Sequence, residues 1–163
     1  MNALLNTVAG ILLLRSGPQD LPYSWNLTIF LVAAYLALGV YTGQQLGDEN
    51  AAGTSLAVST LQFTAVAVMI YVRKHAARLP QTLAALAAVG IILGSLSYMI
   101  LSQANPGQQQ PVLALAWFGI FIWSLLVDGH IYRHALAVTM AQGVLIAVLL
   151  LAATYVLVQF AFK

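Results

Sequence analysis

Five apolar stretches of helical length alternate with short polar breaks along the chain, at residues 25–46, 51–72, 81–101, 111–127 and 135–160. A helix needs about 20 mostly apolar residues to cross a bilayer. Four of the runs exceed that comfortably, and 111–127 is the shortest. The breaks between them carry helix-stopping chemistry. Pro18 and Pro22 interrupt the chain before the first run, Gly47-Asp48-Glu49-Asn50 follows it, and Arg73 to Pro80 separates the second from the third. Ser102 to Gln110 is polar and uncharged, with Pro111 placed to open a helix. Asp128 to His134 reads as a tight turn between the last two spans.

The pattern predicts an all-α polytopic membrane protein: one transmembrane domain over residues 1–163, with five transmembrane helices preceded by a short N-terminal helix. Residues 2–15 are too few to span. Leu4, Val8, Ile11 and Leu12 share one helical face opposite Asn6 and Gly10, which predicts a helix lying in the membrane interface. No basic stretch precedes that apolar segment and no small-residue cleavage pattern follows it, so it reads as retained rather than as a secretory leader.

Composition supports the membrane reading, with 61% hydrophobic and 6% charged residues against about a quarter charged in soluble domains. The net charge of +2 rests on so few groups that it points to topology and not to nucleic acid. Basic residues in short loops stay cytoplasmic. With the Arg73-Lys74-Arg78 turn inside, Arg15 and Arg133 also fall inside, while Asp48, Glu49 and Lys163 fall outside. The expectation is a multi-pass protein of a bacterial inner membrane, N-terminus cytoplasmic and C-terminus periplasmic.

Small and polar residues inside the runs supply candidate contacts. Gly39 and Gly43 in the first span and Gly90 and Gly94 in the third recur at spacing four, which predicts close backbone approach between those parallel helices. Ser59, Thr60 and Gln62 make the second span the most polar, readable as a polar path or as hydrogen bonding between helices. With the breaks placed as above, no charged or histidine residue lies inside a span, which speaks against ion coupling.

Chemistry is sparse. No cysteine is present, so thiolate metal sites and cysteine nucleophiles are excluded. His75, His130 and His134 could in principle ligate zinc or haem, but no thiolate or carboxylate cluster completes a shell. No GxSxG element or phosphate-cradling loop appears. The expectation is no catalytic residue, no cofactor and no metal.

Two patches, Leu14-Arg15-Ser16-Gly17-Pro18-Gln19-Asp20-Leu21-Pro22-Tyr23-Ser24 and Arg78-Leu79-Pro80-Gln81-Thr82-Leu83-Ala84-Ala85-Leu86, resemble stretches in small, uncharacterised inner-membrane proteins of proteobacteria. More loosely, five spans with this topology resemble the Yip1-like membrane proteins. There a proline-bearing Asp-Leu motif precedes the first span, and Asp20-Leu21-Pro22-Tyr23 stands in that place here. The family's Tyr-Gly-Pro continuation and long N-terminal region are missing. The resemblance implies a non-enzymatic membrane organiser or adaptor. Combined with short loops, it predicts a scaffold or accessory subunit working in the lipid bilayer with other membrane proteins or with itself, and not with nucleic acid. The alternative is a small channel or transporter for a small solute, acting alone or as an oligomer and using the polar side of the second span.

Overall fold

In the computed structural model, which describes residues 2–105 and 107–162, six helices follow in order: α1 (Asn2–Leu12), α2 (Trp25–Gln45), α3 (Ala51–Val72), α4 (Leu79–Leu101), α5 (Pro111–Leu136) and α6 (Met140–Ala161). Helices α2 to α6 are long and apolar enough to cross a membrane. Their outer faces display large apolar side chains such as Phe30, Val112 and Leu115, a surface suited to lipid and not to water. Lys163, the one cation expected at the opposite end, lies outside the described residues.

The five long helices close into a ring. Neighbouring contacts run α2–α4–α5–α6–α3 and back to α2, with α3 touching α4 and α5 only sparingly. Alternate helices run in opposite directions, so α2 and α4 are parallel. Their starts are tied by the Thr28 hydroxyl, which donates to the Pro80 carbonyl at 2.9 Å. The end of the ring where α3 meets α4 and α5 meets α6 carries Arg73, Lys74, Arg78 and Arg133, and there the core is dense. Val66, Ile70, Ala85, Ile131 and Ala135 are fully buried.

Helix α1 packs against α4 and α5, with Ile11 completely buried. The Trp123 indole donates to the Leu12 carbonyl at 3.1 Å, and Trp123 stands about 20 Å from the C-terminal end of α5. Val8 and Ile11, on the expected apolar face of α1, are covered by protein. The link that follows, from Leu13 to Ser24, wraps the basic end. Gln81 donates to the carbonyls of Gln19 at 3.0 Å and Leu21 at 2.6 Å, which brings the two patches of the family resemblance together.

The last turn also moves. Asp128 to His134 is helical, and α5 is the longest span, running on to Leu136. It ends at Ala137, which takes a left-handed conformation (φ 53°, ψ 52°). Thr139 then caps α6 by accepting from the Gln142 amide, while the Gln142 side chain accepts from the Thr139 amide. Those two residues form its capping box.

Gly129 stays helical because of what it touches. A Cβ on Gly129 would fall 2.8 Å from the Val144 amide nitrogen. One on Gly143 would fall 3.0 Å from the Gly129 carbonyl carbon and 3.2 Å from the Arg133 nitrogen. This is the tight backbone crossing of the fold, and it joins α5 to α6.

The glycine stripes expected to join α2 and α4 back to back do something else. Gly39 and Gly43 face α3, where an added Cβ would lie 3.1 Å from the Ser55 hydroxyl and 2.9 Å from the Ala51 Cβ. Gly90 and Gly94 do face α2, but side chains fill their grooves. The Tyr35 ring lies over Gly90, with an added Cβ 2.5 Å from its Cε2, and Leu38 covers Gly94 at 3.7 Å. Interhelical spacing at α2–α4 is thus set by a tyrosine seated on a glycine.

A candidate solute site inside the helix ring

The ring is filled at its basic end and hollow towards the other. A cavity of about 530 Å³ runs from the level of Tyr132 and Tyr35 to the α2–α3 turn, where Leu46 and Asp48 line it. Every long helix contributes to its wall. The apolar share comes from residues such as Leu38, Leu86, Val89, Leu93 and Leu125. The polar share is graded by depth.

Near the mouth stand Thr54 and Ser55, at the start of α3, and Ser97, towards the end of α4. Deeper lie Ser59 and Gln62 of α3, Tyr35 of α2 and, one helical turn apart on α5, Asp128 and Tyr132. Gln62 faces the Tyr132 hydroxyl. The Asp128 carboxyl acts electrostatically on both the Tyr35 and the Tyr132 hydroxyls. Two hydroxyls on the wall are already used within their own helices: Thr42 donates to the Leu38 carbonyl at 2.9 Å, and Ser124 to the Phe121 carbonyl at 2.7 Å.

Asp128 is the residue that the sequence pattern places wrongly. Read as part of a turn, it counts as solvent-facing. In the structure it sits about 12 Å inside the C-terminal end of α5, half-buried on the cavity wall. No Lys, Arg or His side chain lines the cavity among the described residues. An ionisable side chain within a span is costly, faces the bundle interior or a water-filled space, and marks a solute or ion route.

Of the proposed polar path, Ser59 and Gln62 lie on the wall whereas Thr60 points outward. Tyr35, Asp128 and Tyr132 were not picked out in the sequence. An Asp and a Tyr four residues apart are a helical-face signal, but the Asp128-Gly129 pair reads locally as a chain break.

His130 and His134 pack together at the basic end. His130 is buried in α5, its Nε2 lies 3.0 Å from the Ser16 carbonyl, and its ring meets that of His134 edge-on at 4.6 Å. Arg78, expected to mark topology, also donates to the His134 carbonyl at 2.8 Å and so caps the end of α5. Among the described residues no group of three His, Cys, Asp or Glu comes together. His130→Ala is expected to destabilise the detergent-solubilised protein by about 3 kcal/mol, the lower end of the cost of emptying a buried ring site. It should also speed tryptic cleavage after Arg15, because the N-terminal link loses its tether. Unchanged melting and unchanged cleavage would show that the link is held by other contacts.

No family model, curated protein or solved structure matches the chain.

Proposed function

We propose that this protein is a multi-pass bacterial inner-membrane protein that binds and carries a small solute in the cavity around Asp128. The observation that supports it is a carboxylate within a span, on the wall of a cavity whose size falls in the range of small-molecule sites, about 300–1,000 Å³. Convergent polar groups on otherwise apolar walls are what fix a solute's orientation. The positive-inside bias puts the basic end in the cytoplasm and opens the cavity to the periplasm. The protein works in the lipid bilayer, alone or as an oligomer, and carries out no covalent chemistry. The sequence argument against ion coupling rested on spans free of ionisable groups, and Asp128 within α5 removes that ground.

The test uses the absence of cysteine. Ser97→Cys, on the cavity wall, is expected to react with a membrane-impermeant thiol reagent added to spheroplasts. Ala87→Cys, in the packed interior, is expected to stay unreactive. A thermal-shift panel of small neutral, anionic and cationic solutes should contain binders. A ligand at 100 times its Kd adds about 2.7 kcal/mol to stability. A Ser97→Cys protein that is unreactive from either side, together with no shift by any solute, overturns the reading.

A further inference from the structure

Resting on the reading of the cavity as a solute site, we infer that its occupant is a monovalent organic cation: a protonated amine or quaternary ammonium with an apolar body. The charge balance of the wall carries the argument. Asp128 stands at depth with no cationic side chain beside it on the wall, and Asp48, at the mouth, has the same sign. One oxygen of Asp48 is engaged by the Asn50 amide at 2.9 Å, which holds the carboxylate in place at the opening. A carboxylate in a low-dielectric interior is costly unless a counter-charge reaches it. Nothing on the wall supplies that charge, and a cationic occupant would.

The remaining wall narrows the class. The rings of Tyr35 and Tyr132 line the cavity near Asp128, and Phe121 lines it two turns nearer the mouth on α5; aromatic faces attract ammonium groups through their quadrupole. Leucine and valine side chains cover much of the rest, which suits a hydrocarbon body. A bare metal ion is a poor fit. One carboxylate and a few hydroxyls fall short of the six to eight oxygens that calcium takes, and about 530 Å³ greatly exceeds the space an ion needs. The mouth carboxylate would concentrate cations from the aqueous side and repel anions.

The probe is benzyltrimethylammonium, with benzyl alcohol and benzenesulfonate as its neutral and anionic counterparts. In the full-length Ser97→Cys protein, the cation should slow labelling saturably and raise the melting temperature, while the two counterparts do neither. Asp128→Asn should weaken that protection about tenfold or more, as loss of a close ion pair away from bulk water does. Asp128→Glu should retain part of it. Equal protection by all three probes, or protection unaffected by Asp128→Asn, overturns the cation assignment and leaves the solute site standing. Labelling of the Ser97→Cys protein that no probe slows overturns the assignment as well. Selectivity among the three probes needs no change at Asp128, so a poorly folded Asp128→Asn protein does not rescue the inference.

Discussion

Gly143→Ala is expected to destabilise the protein by about 3 kcal/mol, the upper part of the usual cost of overpacking. At most sites one added methyl is absorbed by a side chain changing rotamer. Here it meets the Gly129 carbonyl and the Arg133 amide, and a backbone held in a helix cannot step aside. The helices must separate, and α6 then loses its main partner. Gly143→Leu should prevent recovery of folded protein. Gly119→Ala is the control, because an added Cβ there meets nothing within 4 Å. It should be neutral or stabilise by up to about 1 kcal/mol through the unfolded chain. Melting in mild detergent separates the cases. Equal melting temperatures for Gly143→Ala and Gly119→Ala would show that α5 and α6 do not cross at this point.

A periplasm-active reporter fused after Lys163 is expected to be active, and the same reporter inserted between Lys74 and Arg78 inactive. The basis is that Arg73, Lys74, Arg78 and Arg133 occupy one end of the ring while Asp48 and Glu49 occupy the other. Neutralising Arg73, Lys74 and Arg133 together should produce mixed orientation, visible as partial activity at both fusion sites. Arg78 is best left in place, since its bond to the His134 carbonyl gives it a second, structural role. Unaltered reporter signals in that triple variant would mean that these charges do not set the orientation.

Fold class was legible in the sequence because hydrocarbon imposes one rule: a spanning segment must satisfy its own backbone, so a long apolar run becomes a helix. That rule placed α2, α3 and the body of α4 within a residue or two. It failed at Asp128-Gly129, where local chain-breaking chemistry predicted a turn. There the α5 backbone is packed directly against Gly143 and Val144 of α6, and that partner cannot be found by reading along the chain.

The sequence by itself determined that the chain forms apolar helices, where most of them begin, and how its charges divide between the two ends, since each of these depends on neighbours along the chain. Only the tertiary structure decided that the helices close into a ring. The same closure seats Tyr35 on Gly90, turns Gly39 and Gly43 towards α3, and aims Asp128 into a cavity. Apolar helices in lipid have no hydrophobic reason to choose one partner over another. Which faces meet is settled by the fit of small residues against large ones, and that fit exists only when the helices are side by side.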